Sequence, residues 1–290
     1  MAPRLFAAAL SRRDALAAAA EILGTAGIAS ARADAEWLLA GLLGVGRAAL
    51  YLEGDVSADV AARYAHMVER RAGREPLQRL LGWEEFYGLR FRLTDAVLVP
   101  RPETEVLVDW ALGLLPPPSV HRLTAVDVGS GSGCIACALA WKRTDLDVIA
   151  LDASLEAAAM TQANAMQLAV SARVHVVAGD LVTAMRSRRA DLIVSNPPYL
   201  PTESLRLLAP EVADHDPRQA LDGGPDGLGV IRRLVGDARD RLVPGGVLAL
   251  ETAGGAQAHA AAALMNEAGF RRVLVHNDLA GIERFAAGRG

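Results

Sequence analysis

The chain has almost no cysteine. Cys134 and Cys137 are the only two in 290 residues, which excludes a disulfide framework and suits a reducing compartment. Their Cys-x-x-Cys spacing invites a redox reading, but both fall in an Ile- and Ala-rich helical stretch and read better as small buried side chains. The six histidines are scattered, so zinc-type ligand spacing is missing and no metal site is expected. An excess of positive charge is also missing. With a formal net charge of -4, the chain is a poor candidate for a general nucleic-acid binder, because phosphate contacts demand clustered Lys and Arg. One basic cluster, Arg70-Arg71 with Arg74, reads as the solvated end of a helix. Long apolar runs are lacking too. Arg12, Arg13 and Asp14 interrupt the alanine-rich start before a secretory core could form, and no later segment reaches membrane length without a charge. A soluble cytoplasmic protein is expected, with an Arg-rich transit peptide as the alternative.

What is present is globular: 52% hydrophobic and 22% charged residues in a length that exceeds the usual single domain. Two stretches carry chemistry. Asp191-Leu192-Ile193-Val194-Ser195 reads as a buried strand, stopped by Asn196-Pro197-Pro198-Tyr199. Neither proline can donate to a strand ladder, and Pro197 biases Asn196 toward an extended backbone. The asparagine amide is thereby held at the carboxyl end of the strand, where open α/β sheets bind ligands. A plain turn after a strand is the competing reading.

Upstream, Thr124-Ala125-Val126-Asp127-Val128 runs into Gly129-Ser130-Gly131-Ser132-Gly133 and then a helical stretch from Cys134, the strand–glycine loop–helix opening of a nucleotide-type βαβ unit. The spacing departs from the dinucleotide fingerprint, since Cys134 stands where a third glycine would be. A carboxylate at Asp127 would repel a diphosphate and attract a cationic group. A nucleoside carrying an amino acid and a sulfonium fits better. Asp152 ends the next strand near the offset at which an acid bonds ribose hydroxyls; its other possible role, capping the following helix, could fall to Ser154.

The first eighty or so residues read as helices, opened by Ser11 with Asp14, by Ser30 and by Ser57, with a short final helix after Glu75-Pro76. Past Gly82 the pattern alternates, so Phe86, Leu89, Phe91 and Leu93 suggest a β-hairpin. In Pro100-Arg101-Pro102-Glu103-Thr104-Glu105, Thr104 is the expected cap of the helix carrying Leu107 and Trp110. The Gly- and acid-rich stretch from Pro210 to Leu228 reads as an irregular loop over the active face.

Taken in order, these motifs resemble class I S-adenosylmethionine-dependent methyltransferases, and among them the peptide chain release factor glutamine methyltransferases. The likeness runs from Asp34-Ala35-Glu36 through the Pro100–Glu105 motif to Asp278-Leu279-Ala280-Gly281-Ile282-Glu283-Arg284-Phe285. It implies an α/β Rossmann-like sheet of seven strands, the last two antiparallel. A helical bundle (1–82) that helps recognise the release factor, a linking hairpin (83–100) and a methyltransferase domain (101–290) are expected. The cofactor implied is S-adenosylmethionine, bound by Asp127, Gly129, Ser130, Gly131, Ser132, Gly133, Asp152 and Asn196, with Asp180 and Leu181 flanking the adenine. Catalysis and substrate binding are expected at Asn196, Pro197, Pro198 and Tyr199. Asn164 and Gln257 are expected to be structural. The substrate implied is the Gly-Gly-Gln glutamine of class I release factors, with a monomeric enzyme that contacts neither membrane nor nucleic acid. Glu103-Thr104-Glu105 favours this family over the sister enzymes that modify a ribosomal protein. A DNA adenine-amino methyltransferase, which uses a similar clamp, would need a base-flipping apparatus and a basic surface. Asp216 and Gly229 depart from the family pattern.

Overall fold

Two stretches of β-branched and alanine-rich sequence, one on each side of the glycine loop, build the centre of a seven-stranded sheet. Its strands are β1 (Leu123–Val128), β2 (Leu146–Asp152), β3 (Val174–Ala178), β4 (Ala190–Ser195), β5 (Leu242–Glu251), β6 (Arg271–Asn277) and β7 (Glu283–Arg289). They lie in the order β6-β7-β5-β4-β1-β2-β3. All neighbours are parallel except β7, which is antiparallel to both β5 and β6. This is the α/β architecture that the resemblance implies. The order reverses beside β1, so the carboxyl ends of β1, β2 and β4 open onto one crevice. Strand β5 starts earlier than its apolar run: Leu242 already pairs with Ala190, and the register shifts before Val247 because Pro244 and two glycines intervene.

The computed structural model describes residues 10–290, so the first part of the alanine-rich start lies outside the described residues. The chain forms two compact units, one of residues through Gly82 with Ala209–His215 and one of Trp83–Leu208 with Asp216–Gly290. Among the described residues no helix is long and apolar enough to cross a membrane.

The smaller unit packs α1 (Arg12–Thr25), α2 (Ala31–Leu43), α3 (Ala58–Ala72) and α4 (Leu77–Leu81) around Leu16, Leu23, Leu38, Leu39 and Tyr64. Ser11 caps α1 by accepting from the Asp14 amide at 3.1 Å, and Ser57 caps α3 by accepting from Val60 at 3.4 Å. The Arg70–Arg74 cluster is not a solvated helix end. Arg71 is buried and donates to Asp34 at 2.7 Å and to Glu211 at 3.3 Å, while Arg74 lies 3.3 Å from the same Glu211. Glu211 arrives on a single helical turn, α8 (Pro210–Ala213). The stretch expected as one irregular loop is therefore split, its first part ordered by ion pairs within the helical unit.

In the larger unit the hairpin forms at Trp83–Phe86 and Leu89–Arg92. It packs as part of that unit: Phe86 and Phe91 meet edge-on at 6.1 Å and share a core with Leu107 and Val108. Helix α5 (Pro102–Leu114) holds the hairpin turn through Glu105, which accepts from the Tyr87 amide at 2.6 Å. Asn164 on α7 (Leu155–Gln167) is buried and donates to the carbonyls of Arg92 and Ser132, tying the hairpin to the glycine loop.

Candidate active site

The glycine loop follows β1 with left-handed backbone at Gly129, Gly131 and Gly133, φ +74, +55 and +81, which only glycine adopts freely. The three have different surroundings. A Cβ on Gly129 or Gly131 would meet nothing within 4 Å, whereas one on Gly133 would strike Thr161 at 2.9 Å. The first two are open to a ligand. Gly133 lets the loop close onto α7, where the Thr161 hydroxyl donates to the Gly131 carbonyl at 3.0 Å. The Gly131 amide donates to Asp152 Oδ2 at 2.8 Å, and Asp152 Oδ1 accepts from Ser154 at 2.9 Å. Ser154 itself caps α7 through the Ala157 amide, so Asp152 is not needed as the cap.

Asp127 is fully buried behind the loop. One carboxylate oxygen accepts from the Ala136 amide in the first turn of α6 (Cys134–Lys142) at 3.0 Å, and the other has no partner. Burial pushes its pKa up to about 7 against that single bond, and Asp152 raises it further.

A cavity of about 250 Å³ spans the carboxyl ends of β1, β2 and β4. Gly129, Ser130, Gly131, Ser132, Asp152, Asp180, Leu181, Asn196 and Pro198 line it. Of the other residues expected at the site, Asp127, Gly133, Pro197 and Tyr199 do not line it. Asp127 is buried beneath the loop, and Gly133 ends the loop against Thr161 of α7. Pro197 is buried, and Tyr199 packs against the core beside β4, where burial lifts its hydroxyl to about 12.

The asparagine segment is anchored on several sides. Ser195 donates to the Val128 carbonyl at 2.6 Å, and Gln257 Nε2 donates to the Tyr199 carbonyl at 2.8 Å. The glycines of Leu221–Leu228 press on the same backbone: a Cβ on Gly223 would lie 2.8 Å from the Pro198 carbonyl, and one on Gly227 would collide with that of Tyr199. Asn196 Nδ2 donates to Thr104 Oγ1 at 3.1 Å, and that hydroxyl donates to Glu251 Oε2 at 2.8 Å. Thr104 thus sits inside the first turn of α5, whose cap position is Arg101, and does not cap it. A strong acceptor at the end of β5 takes its hydroxyl instead.

Thr104 of the Pro100–Glu105 motif thus meets Asn196 of the clamp, and comparison with known proteins places both motifs in one family. A family model described as "PrmC N-terminal domain" matches residues 14–82, and one described as "Methyltransferase small domain" matches residues 111–211. A protein of Geobacter sulfurreducens named "Release factor glutamine methyltransferase" is 42% identical over 269 residues, 92% of each chain. Proteins of the same name from Caulobacter vibrioides and Moorella thermoacetica are 39% and 40% identical, covering 93% and 95% of this chain and 93% and 97% of theirs. The chain belongs to the release factor glutamine methyltransferase family. Solved structures show the fold at greater distance. A methyltransferase from Pyrococcus furiosus matches at TM-score 0.51 and 17% identity over 70% of this chain and 89% of its own. The hMettl16 catalytic domain, solved with the MAT2A 3'UTR hairpin 6, matches at TM-score 0.58 and 16% identity over 78% and 81%.

Several cavity residues were not among those expected. Thr104 reads in sequence as a helix cap. Arg101 and Arg233 stand at the rim, Arg101 paired with Asp216 at 3.0 Å and Arg233 with Asp180 at 2.5 Å. Gln219 and Ala220 come from a turn of 3-10 helix in the stretch expected to be irregular. For Arg101 and Thr104 the signal in sequence was the Pro100–Glu105 motif, whose two prolines bracket Arg101; Gln219, Ala220 and Arg233 carry no such signal.

Proposed function

We propose that the cavity binds S-adenosylmethionine and that Asn196 and Pro197 present the side-chain amide of the Gly-Gly-Gln glutamine of a class I release factor to it. The observation that carries this reading is Asn196 at the cavity wall, its amide nitrogen engaged by Thr104 and its oxygen left to accept. The residues present suit the cofactor. Gly129 and Gly131 give close backbone approach, Asp152 retains lone pairs for ribose hydroxyls, and the unpartnered oxygen of buried Asp127 supplies anionic character under the loop for an amino-acid ammonium. When bound, the cofactor supplies an electrophilic methyl group on sulfur.

A primary amide nitrogen is a poor nucleophile because its lone pair is delocalised into the carbonyl. The protein must therefore align it and stabilise positive charge growing on it. The Asn196 side-chain oxygen and the Pro197 carbonyl each accept one N–H of the target amide. As the new N–C bond forms and the S–C bond breaks, those N–H bonds become more acidic and the two acceptors hold them more strongly. The excess proton leaves to water, so no histidine or cysteine base is required. The helical unit supplies recognition surface, because one glutamine amide offers too few contacts to discriminate among proteins.

The test uses labelled S-adenosylmethionine with a release factor, ribosomal protein and duplex DNA in parallel. Methylation of the release-factor glutamine is expected, and Asn196→Ala should lower the single-turnover rate by about a hundredfold or more. Labelling of DNA or ribosomal protein alone would overturn the substrate, and a wild-type rate in Asn196→Ala would overturn the clamp.

A further inference from the structure

Asn196 can serve as an acceptor toward a target amide only if its own amide points the right way. A carboxamide has two nearly isosteric ends, one accepting and one donating twice. Turned over, Asn196 would meet the N–H groups of the target with its own. Something must break that symmetry.

Thr104 is 2% exposed and Glu251 is 1% exposed. The Thr104 hydroxyl has one proton. An ionised Glu251 can only accept, so the proton goes to Oε2 across 2.8 Å. Thr104 Oγ1 is then an acceptor toward Asn196, 3.1 Å away, and must receive Nδ2. Because the amide is planar, Oδ1 is left for the cavity. Direction thus passes along a chain of three residues drawn from the end of β5, the first turn of α5 and the end of β4. We propose that Thr104 and Glu251 are positioning residues for methyl transfer: the ionised Glu251 carboxylate, acting through the Thr104 hydroxyl, fixes the Asn196 amide with its oxygen toward the target. The inference rests on Asn196 being the clamp.

The chain has a built-in reversal. A protonated Glu251 can donate to Thr104, which can then donate to Asn196 Oδ1 and turn the amine outward. Burial lifts the Glu251 pKa to about 7, opposed by the Thr104 bond and by Arg284 on β7, while Glu103 on α5 raises it. Tyr199 and Cys134 also feel its charge. At saturating cofactor and release factor, turnover should therefore fall as pH drops through the neutral region.

The experiment compares kcat, KM for release factor and cofactor Kd in wild type, Thr104→Ser, Thr104→Val, Glu251→Gln and Asn196→Ala, with folding checked by melting. Thr104→Val should lower kcat about tenfold or more with cofactor Kd changed less than about threefold, and Thr104→Ser should recover most of that loss. Glu251→Gln, which keeps shape and removes the obligatory acceptor, should lower kcat and abolish the neutral limb of its pH profile. If Thr104→Val does not fold, Glu251→Gln decides alone. Wild-type kcat and pH profile in the folded Glu251→Gln protein, or in Thr104→Val, with Asn196→Ala inactive, overturn the relay and leave the clamp standing. Wild-type kcat in Asn196→Ala overturns the clamp reading on which the relay rests.

Discussion

Glu36 in the helical unit and Glu251 in the α/β unit are both nearly inaccessible, 4% and 1% exposed, yet their carboxyl groups are treated in opposite ways. The Tyr51 hydroxyl, then Arg47 at 2.5 Å and Arg32 at 2.9 Å hold the Glu36 pKa down to about 2. Burial holds Glu251 up at about 7; its hydrogen-bond donor, Thr104, is neutral, and the Arg284 guanidinium that opposes the rise is bonded to Asp278. The same division separates Asp34, which Arg71 reaches at 2.7 Å, from Asp127, which has one backbone amide. An anion saturated by the protein's own cations is spent on holding helices together. An anion buried without a cation costs stability in the free protein, and it is the kind of group found where a ligand or a reacting centre must be addressed.

Breaking the first kind should cost most. Arg71→Ala leaves Asp34 without its cation and takes one from Glu211, so it should destabilise the helical unit by about 3–5 kcal/mol, the penalty for removing one partner of a buried pair. Urea unfolding of the full chain measures this. Cofactor affinity, measured by calorimetry on protein that remains folded, should be unchanged. A loss below about 1 kcal/mol would mean that Asp34 is hydrated and that the two kinds of acid are not distinct.

The second kind should behave in reverse. Asp127 has its folded pKa raised from 3.8 to about 7. The sign follows directly: neutral in both states at low pH, it carries no penalty there, and stability is lost as pH rises from about 4 through about 7. Asp127→Asn keeps a carbonyl for the Ala136 amide and removes the charge. The cofactor-free protein should gain about 2–4 kcal/mol at pH 8, with the gain vanishing near pH 4, since one unit is about 1.4 kcal/mol. Cofactor binding should weaken at the same time. Equal melting temperatures of the two proteins at pH 8 would show that Asp127 is not a stored cost.

Which of these features could be read from sequence depends on how far apart their parts lie. Asn196 after a β-branched run and the loop from Gly129 to Gly133 are local, because strand termination and positive φ are decided within a few residues. The caps at Ser11 and Ser57 are local as well. Thr104 is not legible in this way, because its local environment, a Pro-flanked helix start, suits a cap equally well and its true acceptor Glu251 lies 147 residues on. Arg71 and Glu211 are 140 apart, so no window could show that a basic cluster is neutralised internally. Gly223 and Gly227 read as loop residues, whereas tertiary contact with the Pro198 and Tyr199 carbonyls is what requires them. The seven-stranded sheet and its antiparallel last pair come from the family resemblance, since periodicity says only that strands exist, and the strand order comes from the structure.

A third kind of acid sharpens the comparison with the smallest effect. Asp180 and Arg233 pair at 2.5 Å across the rim of the cavity, with side chains 58% and 55% exposed. Water screens such a pair, so its loss should change stability by at most about 1 kcal/mol. The interest lies in the ligand. If Asp180 accepts the exocyclic amine of the adenine, Arg233 competes for the same carboxylate, and Arg233→Ala should leave cofactor affinity within about threefold of wild type while making it less dependent on salt, because no ion pair has to rearrange. Calorimetric titration at low and high salt tests both points. A tenfold or greater loss of affinity in Arg233→Ala would show that the guanidinium itself touches the cofactor, which would move Arg233 from the rim into the binding site and leave Asp180 as its support.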